Sequence, residues 1–199
     1  MRHTQGLLLP RDELSTTMDQ VPVLAISGSV GVGKTTIALA IHDLFSSWSV
    51  PHACIDRDAL TWSWPAEGLF NSGLGHRNLA AIWDNFRAAG ARRLILAGVL
   101  ETDADRNAYA KAIPGALVTV CRLVAPLAVR HERLRTREHG TVLEWHVARS
   151  LELDQVLDAS TVNDFVVENH GRSPEVVAHE VLRRAGWPVG EFRGEPNGS

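Results

Sequence analysis

Lysine is scarce in this chain of 199 residues: Lys34 and Lys111 stand against eighteen arginines. Cysteine is equally sparse. Cys54 and Cys121 both sit in apolar, strand-like runs, so they read as small core residues, and two thiols make no disulfide framework. No spacing joins them to the nine histidines as metal ligands, and no histidine stands out as a functional group. No apolar run approaches the length of a membrane span. Residues 7–9 are three leucines followed at once by Pro10, Arg11, Asp12 and Glu13, which is no secretory signal. The net charge of −3 gives no electrostatic case for nucleic acid or an anionic membrane as the main partner. A reduced, cytoplasmic protein is expected. Two further absences concern chemistry. Neither D-x-x-G after a strand nor N-K-x-D occurs, so the marks of a GTPase switch are missing. The apolar run 94–100 closes on Glu101 with no aspartate where a motor ATPase would hold its metal and water.

What remains has the composition of one folded domain, 45% hydrophobic and 22% charged. Residues 1–20 lack periodicity and 189–199 are polar and glycine-rich, so both read as flexible tails around a domain at 21–188. Short apolar runs at 21–27, 52–56, 92–100, 116–125 and 164–168 read as strands. Helical stripes lie between them: Ile37, Ala40, Ile41 and Leu44; then Leu79, Ile82, Trp83 and Phe86; then two helices across 126–157. A last helix is opened by Ser173 and Pro174 and stopped by Gly186. The polar stretch 101–115 shows no element. Five strands alternating with helices predict an α/β fold, a mostly parallel sheet covered on both faces. Right-handed crossovers then gather the loops after the strands on one edge, where ligands bind.

The most specific signal is G-x-x-x-x-G-K-[ST], filled by Gly28, Gly33, Lys34 and Thr35 between a strand and a helix. Glycines let successive backbone N–H groups converge on phosphate oxygens, and the helix beginning there adds its positive end. Ser29, Val30, Gly31, Val32 and Thr36 complete the expected cradle. Lys34 is expected on the β- and γ-phosphates and the Thr35 hydroxyl on Mg²⁺, with ATP as the nucleotide. Asp56 and Asp58 end the second strand on the same edge. If the strand persists they point the same way, and a carboxylate there either orients Mg²⁺ or takes the proton of an attacking hydroxyl. Alternatively one caps the next helix and the other is solvated. Arg130, Arg133 and Arg137 share one helical face, suited to gripping phosphate or to pairing with Glu132, Glu138 and Glu144. Trp62 and Trp64 follow the acidic pair and either wall an acceptor pocket or plug the core; Trp48, Trp83, Trp145 and Trp187 read as core.

On these motifs the chain resembles the small P-loop kinases of the nucleoside-monophosphate-kinase-like group, in layout the adenylylsulfate, shikimate and gluconate kinases, over residues 22 to about 187. The resemblance implies a three-layer P-loop NTPase fold with a five-stranded sheet and a short arginine-rich lid. It implies an ATP- and Mg²⁺-dependent kinase acting on a small hydroxyl-bearing molecule. Asp56–Asp58 resembles an acidic pair that engages magnesium or the acceptor. Arg106 resembles an acceptor-gripping arginine. The run 130–138, with Arg133 and Arg137, resembles the lid, and the turn 168–174 lies where related kinases contact adenine. A sugar, nucleoside, hydroxy acid or antibiotic all suit such a site. The competing expectations are an ATPase with Glu101 positioning water, and a nucleotide-binding regulator without an acceptor.

Overall fold

The computed structural model describes residues 20–190, so nearly all of both tails lies outside the described residues. The elements follow in chain order: β1 (Val21–Ser27), α1 (Lys34–Ser47), β2 (Ala53–Asp56), α2 (Ser72–Ala88), β3 (Leu94–Ala97), α3 (Asp103–Ala112), β4 (Ala116–Val124), α4 (Leu127–Arg137), α5 (Gly140–Ala159), β5 (Phe165–Glu168) and α6 (Pro174–Arg184). The strands form one sheet in the order β2-β3-β1-β4-β5, every pair parallel. The structure is therefore the three-layer α/β fold expected from the sequence.

Alternation along the strands builds two cores. Leu24 and Ile26 of β1, with Ile95, Cys121, Leu123 and Val167, pack against Ile37, Ile41 and Phe45 of α1 and Val177 and Val181 of α6. Val23 and Ala25 face the other way with Ile55, Leu94, Leu96 and Val120, against Leu79 and Trp83 of α2 and Tyr109 of α3. The period-two pattern of a strand thus feeds both layers, as a sheet buried on both faces requires. β1 lies at the centre. Its last residue, Ser27, is in register with Arg122 of β4, and Ile26 with Ala97 of β3, so the loops after β1, β3 and β4 leave the sheet side by side.

Several expectations need correction. The polar stretch 101–115 contains α3, opened by a capping box in which Thr102 accepts from the Asp105 amide and the Asp105 carboxylate accepts from the Thr102 amide. Strand β2 ends at Asp56, and Asp58 opens a short 3-10 turn, so the two carboxylates do not lie on one strand face. Trp83 and Trp187 are core and Trp48 packs on its edge, but Trp145 is half exposed. No helix among the described residues is long and apolar enough to cross a membrane.

Candidate phosphoryl-transfer site

The loop from Gly28 to Gly33 favours glycine at its two ends. Gly28 has φ +135° and a Cβ there would stand 2.5 Å from the Leu123 carbonyl oxygen. Gly33 has φ +99°, with its hypothetical Cβ 2.6 Å from Asn169 Nδ2. Both values lie where side chains are strongly disfavoured. Gly33 leads directly into α1, which has no side-chain cap and no acidic residue in its first turn. The first N–H groups of a helix lack intrahelical acceptors, so this end favours an anion. Lys34 folds back over the loop, its Nζ donating to the carbonyls of Gly28 (3.0 Å) and Ser29 (3.1 Å). The residue is half-buried, yet its ammonium is enclosed. That burial lowers its pKa to about 8, against the opposing pull of Asp58 and Asp56. An enclosed cation beside an uncapped helix start is matched to a triphosphate.

Thr35 points to β2. Its hydroxyl donates to Asp56 Oδ2 at 2.6 Å, and Asp56 Oδ1 accepts the Asp58 amide at 3.0 Å. Asp56 is therefore committed through both oxygens, while the Asp58 carboxylate is exposed and lies 3.5 Å from Arg57. A hydroxyl and a carboxylate in contact beside the loop form a hard-oxygen donor set, which suits a divalent cation such as Mg²⁺. The edge position thus brings Lys34, Thr35, Asp56 and Asp58 together.

The arginines part company. Arg130 is only 4% exposed. It donates to Ser29 Oγ (2.7 Å), Ser150 Oγ (2.6 Å) and the Ala125 carbonyl, and pairs with Asp154. It is a strut beneath the loop, and its place on one helical face with Arg133 and Arg137 does not make it a lid residue. Arg133 donates to the carbonyls of Val32 (3.1 Å) and Asn169 (2.9 Å), and so touches the loop from outside. Arg137 extends into solvent and pairs with Glu138, which His146 also contacts. Burial favours the protonated form of Glu138, but these two partners outweigh it and hold its pKa below the usual range. Arg106 lies away from the edge. It binds the Val118 carbonyl (2.6 Å) and Asp164, which also receives the Val120 amide. Val118 pairs with Val23, four residues down from the Ser27 end, about 13 Å by strand rise. Arg106 ties α3 to β4 and reaches no acceptor there. Trp62 and Trp64 do not plug the core, being 82% and 93% exposed. Glu101 is paired with Arg149.

Two residues given no individual role in the sequence reading matter here. Asn169, buried just after β5, donates to the Val32 carbonyl at 2.7 Å, and Ser150 of α5 meets Ser29. Asn169 lies in the turn 168–174 that the resemblance puts near adenine, but its contact with the phosphate loop was not foreseen; nothing marked Ser150.

This arrangement can be set beside known structures. A sugar kinase from Janibacter sp. HTCC2649 superposes with a TM-score of 0.60 at 19% identity, over 84% of this chain and 95% of its own. The Deinococcus radiodurans tunicamycin resistance protein gives 0.56 at 20% identity, over 85% and 98%. The Mycobacterium tuberculosis APS kinase, solved with AMPPNP and APS, gives 0.53 at 16%, over 84% and 98%. Gluconate and shikimate kinases also match. The fold is that of the small P-loop kinases. No family model matches the chain, and neither does any curated protein.

Proposed function

We propose that this protein is an ATP- and Mg²⁺-dependent kinase that moves a γ-phosphoryl group to a hydroxyl-bearing small molecule. One observation carries the reading: Lys34, the Thr35–Asp56 contact and the exposed Asp58 share one sheet edge beside an uncapped helix start. The kinase folds of the structural neighbours support it. In this reading the loop amides and Lys34 bind the β- and γ-phosphates, and Thr35 with Asp56 would hold Mg²⁺. The metal supplies neutralisation of phosphate charge when bound. Because Asp56 is committed to Thr35 and to the Asp58 amide, Asp58 takes the acceptor side. The acceptor oxygen bonds the γ-phosphorus while the bond from that phosphorus to the β–γ bridging oxygen breaks. ADP leaves with the electron pair, and the hydroxyl proton passes to Asp58. Arg133 borders the loop, and Arg137, once released from Glu138, is the cation free to approach the transferring group. Glu101 is occupied by Arg149, so it is poorly placed to orient a hydrolytic water.

The test is phosphoryl transfer from Mg·ATP to an acceptor panel, followed as the mass gain of one phosphoryl group. Asp58→Asn is expected to keep Mg·ATP affinity and lose transfer by roughly 10²–10⁴-fold. Lys34→Ala is expected to lose both binding and transfer. Fast phosphate release without any acceptor, undiminished in Asp58→Asn, would replace this reading with an ATPase.

A further inference from the structure

The loop after Asp58 carries an unusual load of exposed aromatic surface. Trp62 and Trp64 are almost bare, and Phe70 is 47% exposed. Soluble chains expose large apolar side chains singly, and clustered ones mark binding surfaces. This loop is anchored at both ends. The Thr61 amide and hydroxyl both bond the Asp58 carbonyl, at 3.1 and 2.8 Å. Buried Asn71 donates to the Thr61 carbonyl (2.8 Å) and accepts the Glu67 amide (2.6 Å), and Asn78 donates to the Leu60 carbonyl (2.8 Å). Phe70 and Asn71 adopt φ of +57° and +48°, a left-handed pair that costs energy and recurs at ligand clamps. The tryptophans are presented on a pinned frame, next to the acidic tip.

Helix α5 meets this loop at Phe70. Arg149 of α5 lies over the Phe70 ring, 5.6 Å from its centroid. Trp145, one turn earlier on the same helical face, is 52% exposed. The charges here are already balanced. Arg57 sits against Asp58, Arg77 against Glu67, and Arg149 against Glu101 and Glu152. Carboxylates and phosphates are usually gripped by arginine forks. Arg57, Arg77 and Arg149, the arginines that contact this loop or the residues at its start, are each engaged with a protein carboxylate, while Arg133 is turned to the carbonyls of Val32 and Asn169 on the phosphate-loop side. The exposed group at the start of the loop is instead the Asp58 carboxylate.

From this we infer that the acceptor is an uncharged or cationic molecule in which a hydroxyl is borne next to an aromatic or heteroaromatic ring. The ring stacks on Trp62 and Trp64 and the hydroxyl reaches Asp58; an anionic acceptor is disfavoured. The inference rests on the kinase reading, from which it takes the transfer step unchanged.

A matched set of probes tests it: phenyl β-glucoside, adenosine and indole-3-ethanol against glucose and gluconate. Binding is read first without nucleotide, by saturation-transfer NMR and tryptophan quenching, and transfer from Mg·ATP is read afterwards. Aryl probes are expected to bind at least tenfold more tightly than glucose or gluconate. The advantage should vanish in Trp62→Ala/Trp64→Ala, with Mg·ATP affinity retained. Equal binding of glucose, preference for gluconate, or aryl binding indifferent to both substitutions overturns the inference. So does the absence of any aryl binding, or a concentration-dependent dimer that the double variant abolishes, since the loop would then serve self-association. Those outcomes leave the kinase reading standing, whereas loss of Mg·ATP binding in the unsubstituted protein removes that reading by itself.

Discussion

The two halves of the candidate site are built in opposite ways. On the donor side, the phosphate loop is held from beneath and from outside by distant residues: Arg130 and Ser150 at Ser29, and Arg133 and Asn169 at Val32. On the acceptor side, the loop carrying Trp62 and Trp64 is tied at its ends and bare along its length. On the proposed function, the contrast follows from what each side would bind. A triphosphate presents the same oxygens every time, so a preorganised cradle would lose little conformational entropy on binding one. Acceptor identity can instead reside in a few side chains set on a frame. Stability should accordingly be concentrated on the donor side, and selectivity on the other.

The hardest blow to that comparison is Arg130→Ala. The substitution leaves Asp154 without its partner and removes two donors to buried hydroxyls. Asp154 is partly exposed and can be hydrated, so the loss falls below the roughly 3–5 kcal/mol of a fully buried pair. With the two unmade hydrogen bonds to buried hydroxyls at about 1 kcal/mol each, denaturant unfolding should show a loss of about 3 kcal/mol. Mg·ATP affinity should fall with it, because Ser29 loses its strut. If stability were unchanged, the donor side would not be the rigid half.

Gly33→Ala comes next. The φ of +99° and the crowding against Asn169 Nδ2 both oppose a methyl group. A left-handed conformation costs a side chain roughly 1–2 kcal/mol, and Asn169 must also move away from the Val32 carbonyl. A melting shift of that order, with a larger fractional loss of nucleotide affinity, is the expected result.

These two positions also show what a linear sequence reveals. Gly33 was legible because the phosphate loop is contiguous, and its chemistry demands particular residue types at fixed spacing. Arg130 was legible only as a charge on a helical face. Its role depends on Ser29, Ser150 and Asp154, which the fold brings from 20 to 101 residues away. Arg106 misled for the same reason, since Asp164 claims it from 58 residues away. The five strands and the sheet covered on both faces were readable because burial imposes periodicity, whereas the order of the strands in the sheet leaves no such mark. Helix α3 was not, because it is short and polar with Tyr109 as its one buried residue, and only its capping box betrays it.

A subtler probe of the donor side is its proton balance. Lys34 titrates near 8 in the folded chain and near 10.5 when unfolded. Between those values the unfolded chain holds a proton that folded Lys34 has released, so this group makes stability rise with pH across that window. A bound triphosphate restores the charged form. Binding of Mg·ATP at pH 8.5 should therefore take up as much as roughly 0.7 of a proton, and almost none from this lysine at pH 6.5. Calorimetry in buffers of different ionisation enthalpy measures this directly. Lys34→Arg, which stays charged throughout, should abolish the pH-dependent part. Equal uptake at both pH values would mean that the ammonium is not enclosed.

The smallest effect is expected where the most aromatic surface lies. Trp64→Ala removes a side chain that is 93% exposed and hence little covered by the fold. Surface substitutions away from caps, cavities and buried polar groups usually change stability by less than about 0.5 kcal/mol. The same should hold here, and for Trp62→Ala, in thermal unfolding of the nucleotide-free protein. Such silence would be informative, because it separates the loop from the fold it is mounted on. A loss of 2 kcal/mol or more would instead show that the tryptophans support the domain itself, and the division into a stabilising half and a selecting half would fail at its acceptor end.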